Sequence, residues 1–151
     1  MSISSKKIIE NANKILAEDD HREKVNTFLE VFSQCEVYVR PVLLRSYKSN
    51  GEEIKPEEIG LDAKTIKDAF SEEGIYFEDG KLITRIFGAE DALGKSSCRW
   101  LRNKILHELM KRALTEVCNR FEALTADMNS FIEQINSQTK QSIYIVKGDQ
   151  P

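Results

Sequence analysis

Residues 97–137 decide the fold, and they read SCRWLRNKILHELMKRALTEVCNRFEALTADMNSFIEQINS. Apolar side chains recur every three or four positions along this segment, and no glycine or proline interrupts it. Ser96 or Ser97 can cap its start. A single helix over its whole length would extend about 60 Å, too long to lie across one small domain. We therefore expect a break near Thr125 or Asp127, whose side chains can cap a helix, or an extended helix packed against a partner.

The segments before it are also largely helical in pattern. Residues 5–18 carry apolar side chains at helical spacing, and Asp19 or Asp20 can cap a second helix. Proline lacks an amide donor and disfavours helix at the preceding residue, so this second helix should kink or stop near Pro41. The apolar residues at 42–47 can continue it as a short final turn. Asp62 can cap a third, short helix.

In one stretch the spacing of the apolar residues changes from a helical to a strand-like pattern. Residues 75–84 have β-rich runs on both sides of Asp79-Gly80, a dipeptide typical of two-residue hairpin turns. We expect a small hairpin there, to which a β-like run at 143–146 can add a strand. The predicted fold is mainly α: one helical-bundle domain over residues 1–151, with a long C-terminal helical segment and a β-hairpin insertion near 75–84.

Composition indicates a soluble, folded protein. The chain has 151 residues, of which 40% are hydrophobic and 31% charged, as in globular rather than disordered proteins. No apolar run approaches the roughly 18 residues that span a bilayer, and no secretory signal is evident. The three cysteines, Cys35, Cys98 and Cys118, are too widely spaced for a disulfide framework or a zinc site. We expect free thiols, no membrane association and a cytoplasmic location.

Charge is unevenly distributed along the chain. The 22 basic and 25 acidic residues give a net charge of −3, which argues against a protein that coats nucleic acid. Residues 95–112 nevertheless hold six basic residues and one acid, so this segment carries +5 and the rest of the chain −8. The six are Lys95, Arg99, Arg102, Lys104, Lys111 and Arg112. Such a local concentration fits a small site that engages a few phosphates.

Two histidines are present, and only one lies in the basic segment. His21 has the polar surroundings of a surface residue, whereas His107 follows Arg102 and Asn103 on the same helical run. Asn103 and His107 are four residues apart and share a helix face, so the amide can orient the imidazole. Arg102 lies about 140° around the helix from His107. The two side chains would therefore converge best if two copies of the helix faced each other across a two-fold axis.

This set of groups suits RNA cleavage without a metal or another cofactor. A histidine with a pKa near neutrality can take the proton of a 2′-hydroxyl or protonate the leaving 5′-oxygen. An arginine can hold the phosphate and stabilise the charge of the transition state. Arg99, Lys104 and Lys111 would help attract the RNA, and the segment contains no carboxylate cage for magnesium.

The run Arg102-Asn103-Lys104-Ile105-Leu106-His107 resembles the signature of HEPN domains (higher eukaryotes and prokaryotes nucleotide-binding). The resemblance implies an all-helical bundle that dimerises to form its site, with Arg102, Asn103 and His107 in the catalytic positions. It implies a metal-independent endoribonuclease of toxin–antitoxin, phage-defence or CRISPR-associated systems, with an antitoxin or defence protein as partner. Leu109 stands where one toxin subgroup carries a tyrosine, so no subfamily is assigned.

Structural roles are the alternative for the same residues. His107 can be an ordinary helix residue, and Arg102 can pair with an acid elsewhere. Trp100 can stack on a base or anchor packing. On this second hypothesis the chain is a non-catalytic dimerisation or interaction module that binds a protein partner or RNA without cleaving it.

Overall fold

The computed structural model describes residues 5–51 and 61–139, which form seven α-helices around one hydrophobic core. The helices are α1 (Ser5–Leu16), α2 (Asp19–Ser49), α3 (Ala63–Glu72), α4 (Leu82–Phe87), α5 (Cys98–Glu108), α6 (Lys111–Asn119) and α7 (Phe121–Gln138). The mainly α prediction is confirmed. None of the helices within these residues is long and apolar enough to cross a membrane.

Helix α2 is central to the packing. It contacts α1, α3, α5, α6 and α7, and it buries a stripe of residues at helical spacing: Val25, Phe28, Phe32, Cys35, Val39, Val42 and Leu43. The helix continues past Pro41 as far as Ser49. Pro41 is exposed, while Val42 and Leu43 are buried, so core packing on the C-terminal side offsets the lost amide donor.

Two predicted helix caps are confirmed. The Asp62 carboxylate accepts a hydrogen bond from the Thr65 amide at 3.0 Å and begins α3. The Ser97 hydroxyl accepts one from the Trp100 amide at 3.1 Å and begins α5. Each side chain thereby satisfies an amide that has no partner within its own helix.

The long apolar segment does break, but the predicted position near Thr125 or Asp127 is wrong. It breaks at Leu109 and at Arg120, and α7 runs without interruption through both predicted positions. Their side chains are used otherwise. The Thr125 hydroxyl donates back to the Phe121 carbonyl at 2.8 Å, inside the helix, and Asp127 pairs with Arg85 of α4. Neither side chain is therefore available as a cap.

The predicted hairpin at 75–84 is also wrong, since no strand occurs among the residues that the structure describes. The Asp79 side chain accepts from the Lys81 amide at 2.9 Å, and this turn leads directly into α4. The preceding backbone is satisfied by side chains of α7: the amides of Tyr76 and Glu78 donate to Gln138 and Gln134, both at 2.9 Å.

The apolar residues of α4 are spaced as in a helix, where the sequence pattern predicted a strand. Leu82, Ile83, Ile86 and Phe87 are all buried, at the spacing of one helix face rather than of alternate strand positions. The second predicted strand, 143–146, lies outside the described residues. The described part of the chain is thus helical in every regular element.

Candidate nucleic-acid site on helix α5

Helix α5 is oriented by three buried side chains. Cys98, Leu101 and Ile105 direct one face of the helix into the core. The opposite face carries Asn103 and His107, which are one turn apart as the sequence predicts. His107 is exposed at the C-terminal end of the helix, so its imidazole is accessible to a ligand.

Arg99 extends this outward face by one turn. It lies four residues before Asn103 and eight before His107, so the three side chains follow one stripe. The Arg99 guanidinium donates to the Phe87 carbonyl at 3.3 Å, which ties the start of α5 to the end of α4. Only part of its donor capacity is used in this way, because a guanidinium has five N–H groups.

Arg102 lies at the edge of the outward face, against α2. Its guanidinium stacks over the Phe32 ring, with Cζ 4.6 Å from the ring centroid, and Nη2 donates to Glu36 at 3.4 Å. The side chain keeps 20% of its surface exposed, and its Nε is buried with no acceptor among the described residues. Packing on Phe32 and the bond to Glu36 fix the direction of the guanidinium.

Glu36 also binds a second arginine, Arg40, that sequence reasoning missed. The same Oε2 atom accepts from Nη2 of Arg40 at 3.1 Å. Arg40 and Glu36 are one turn apart on α2, but Arg102 belongs to a different helix. The spacing of Arg40 from Glu36 predicts an ion pair within α2. It carries no signal that Arg102 joins the pair.

The remaining predicted RNA-binding residues are dispersed. Lys104 lies on the far side of α5 from Arg102 and donates to Glu108 at 2.7 Å. Lys111 is exposed, but it belongs to α6. The local charge of +5 is therefore not presented as one continuous patch, and an acid outside the segment, Glu36, pairs with Arg102.

Trp100 is part of the junction between α5 and α6. The Arg112 guanidinium lies over its ring at 4.7 Å, and the Lys104 ammonium lies 5.8 Å from the ring centroid. Arg112 is held in turn by the Ser96 hydroxyl at 3.0 Å and by the carboxylate of Glu116 at 3.7 Å. These contacts favour the packing role for Trp100 over base stacking.

Helix α5 ends in a left-handed turn just after the histidine. Leu109 has φ 47° and ψ 42°, and it is the one non-glycine residue with positive φ in the described chain. Its amide donates to Ile105 at 3.1 Å and the Met110 amide to Lys104 at 3.3 Å. For a leucine this conformation costs on the order of 1 kcal/mol. His107 therefore lies in the last turn of α5, two residues before the left-handed Leu109.

Taken together, one chain brings Arg99, Asn103 and His107 to one stripe and leaves Arg102 at its edge. Within the described residues no group of three or more histidine, cysteine or acidic side chains is arranged to hold a metal ion. No protein-family model, no curated protein and no solved structure matches this chain.

Proposed function

We propose that this protein is a homodimeric, metal-independent endoribonuclease of the HEPN type. The observation that carries the proposal is the placement of His107 on the exposed face of α5, with Arg102 fixed at the edge of that face. The two side chains diverge by about 140° within one helix. A second copy related by a two-fold axis would bring its own His107 toward Arg102 of the first, and both pairs would meet in one cleft.

An exposed apolar surface on the same helix supports the dimer. Leu106 is 56% exposed and lies between Arg102 and His107 around the helix, and Leu109 is 37% exposed one turn later. Large apolar side chains grouped on a helix face are typical of protein contacts. A self-complementary contact through Leu106 would set the two histidines beside each other.

The chemistry follows from the groups in this cleft. One His107 would accept the proton of the 2′-hydroxyl as its oxygen attacks phosphorus. The bond from phosphorus to the 5′-oxygen breaks, and the same His107, now an imidazolium, would give its proton to that oxygen. The products are a 2′,3′-cyclic phosphate and a 5′-hydroxyl. Arg102 would stabilise the extra charge on the phosphate, and Asn103 would orient the imidazole.

Incubation of the purified protein with total RNA in EDTA tests this proposal. We expect cleavage that leaves 2′,3′-cyclic phosphate ends, and a loss of at least about a hundredfold in rate for His107→Ala. His21→Ala is the matched control, because it removes the chain's other histidine. Cleavage that requires a divalent metal, or that survives His107→Ala in a folded protein, contradicts the proposal.

The HEPN resemblance supplies the biological setting of the proposal. Such an enzyme would act as a toxin or a phage-defence effector, held in check by an antitoxin or another defence protein. Induced expression in a bacterial host should then arrest growth, and His107→Ala should relieve the arrest. Equal growth arrest by wild type and variant would show that the toxicity does not depend on RNA cleavage by His107.

One observation favours the alternative, a non-catalytic interaction module. Arg102 is mostly covered, stacked on Phe32 and paired with Glu36, as an arginine with a purely structural role would be. On this hypothesis His107→Ala leaves partner binding intact, whereas charge reversal at Arg102 or Arg112 disrupts it. RNA cleavage assays and partner-binding assays on the same variants separate the two functions.

A further inference from the structure

Arg40 shares a carboxylate oxygen with Arg102. Oε2 of Glu36 accepts from Nη2 of Arg40 at 3.1 Å and from Nη2 of Arg102 at 3.4 Å. The two Nη2 atoms can therefore be no further apart than those two distances combined, about 6.5 Å. Charge-assisted hydrogen bonds of about 2.8 Å would let both guanidinium groups reach oxygens of a single phosphate.

The balance of charge gives Arg40 a specific role. Glu36 alone would cancel the charge of Arg102 and leave a neutral pair with little attraction for a phosphate. With Arg40 present, two cations surround one carboxylate, and the cluster keeps a net charge of +1. Arg40 thus allows Glu36 to orient Arg102 without removing the positive charge that an anion needs.

The solvent exposure of the side chains also supports this role for Arg40. The Arg40 side chain is 41% exposed, twice the exposed fraction of Arg102, and Glu36 is only 15% exposed beneath the two. Each guanidinium uses one Nη2 on Glu36, which leaves further N–H donors. Arg40 therefore lies on the solvent side of the cluster, whereas Arg102 and the carboxylate of Glu36 are mostly covered.

We propose that Arg40 is a second phosphate-binding residue of the ribonuclease site and that Glu36 is the positioning residue that holds both arginines. This inference rests on the proposed function, and its ligand is the backbone of single-stranded RNA. Arg40 would bind the phosphate that Arg102 binds or the one next to it, and so would contribute to RNA affinity.

Salt-dependent binding of an uncleavable RNA tests the proposal. The probe is a fluorescent single-stranded RNA with 2′-O-methyl groups, titrated with the full-length protein over a series of potassium chloride concentrations. Arg40→Ala should weaken binding about tenfold at low salt and reduce the slope of log affinity against log salt by about 0.7, the value of one phosphate contact. Arg40→Lys keeps the charge and should keep the slope.

Arg45→Ala is the matched control. It removes the same charge from the same helix, but Arg45 pairs with Glu73 at 2.8 Å, away from α5. An equal slope for Arg40→Ala and Arg45→Ala overturns the role of Arg40. If Arg102→Ala still lowers the slope in that case, the proposed function stands without a role for Arg40. A wild-type protein that shows no salt-dependent RNA binding overturns both.

Discussion

Arg85 of α4 holds Asp127 of α7 through two parallel hydrogen bonds, Nε to Oδ2 at 2.9 Å and Nη2 to Oδ1 at 3.0 Å. Nη1 of the same guanidinium pairs with Asp79 at 2.8 Å. The bonds to Asp127, and then those to Asp79, raise the pKa of Arg85 above its usual value. One side chain thus fastens α4 and the turn before it to the middle of α7.

This ion pair should contribute measurably to stability. A double-mutant cycle with Arg85→Ala and Asp127→Ala should give a coupling energy of about 0.5–1 kcal/mol, since the two-bond geometry is favourable but the pair is partly exposed. Urea denaturation of the four proteins measures it. The pair Lys64–Asp68 is the control, because it is more exposed and lies within one helix. A coupling for Arg85–Asp127 no larger than that of the control contradicts the prediction.

The Arg85–Asp127 contact also shows why parts of the fold could not be predicted. Asp79-Gly80 and Asp127 carry ordinary local signals for a hairpin and a cap, but each aspartate is engaged by Arg85, which is distant in sequence from Asp127. The caps at Asp62 and Ser97 were predictable because both partners lie within three residues. Local bonding could be inferred from sequence, and competition from tertiary contacts could not.

In the candidate site, too, the local features could be predicted from the sequence and the contacts between helices could not. The shared face of Asn103 and His107 follows from their spacing on one helix, and the structure has that helix. The break at Leu109 had no signal, because a leucine in left-handed conformation stands where glycine is usual. The contacts of Arg102 with Phe32 and Glu36 join two helices and were equally invisible in the sequence.

Glu116 should be a strong determinant of stability. Its buried carboxylate accepts from the Ser96 amide at 3.1 Å and pairs with Arg120 and Arg112, so it fastens the loop before α5 to α6. Glu116→Gln should lower the free energy of unfolding by about 2–4 kcal/mol, because two arginines lose their buried counter-ion. Glu122→Gln, on the exposed side of α7, should change it by less than about 0.5 kcal/mol. Similar denaturation midpoints for the two variants would show that Glu116 does not have this role.

The cysteines should differ in reactivity. Burial, with a smaller contribution from Glu36, raises the pKa of the Cys35 thiol to about 12, and burial raises the pKa of Cys98 as well. Cys118 is only partly buried. At pH 8 iodoacetamide should therefore modify Cys118 first and reach the other two only when the protein unfolds. Peptide mass spectrometry with and without guanidinium chloride distinguishes them, and native labelling of Cys35 as fast as Cys118 would contradict this order.

The Asp62 cap should make stability depend on pH. The hydrogen bond from the Thr65 amide lowers the pKa of Asp62 below its usual value. The ionised cap therefore contributes its full stability above about pH 3.9, the pKa of Asp62 in the unfolded chain. This stability is lost as the pH falls through the lower pKa of Asp62 in the folded protein. Asp62→Ala should cost about 1 kcal/mol at pH 7 and progressively less below about pH 4.

Asp62→Ser provides the control for that experiment. Serine caps the helix without titrating in this range, so the stability difference between Asp62→Ser and Asp62→Ala should not depend on pH. Thermal unfolding of the three proteins from pH 7 to pH 3 gives the comparison. A difference between wild type and Asp62→Ala that stays constant to pH 3 would exclude the ionised cap.

Complementation between two inactive variants tests most directly whether Arg102 of one copy acts with His107 of another. Arg102→Ala and His107→Ala should each fail to cleave RNA in EDTA as homodimers. When the two are co-expressed, about half of the dimers are mixed, and each mixed dimer regains one of its two Arg102–His107 pairs. We predict that about a quarter of the wild-type activity returns, with 2′,3′-cyclic phosphate ends. A mixture that stays as inactive as either variant alone would contradict a site shared between two copies.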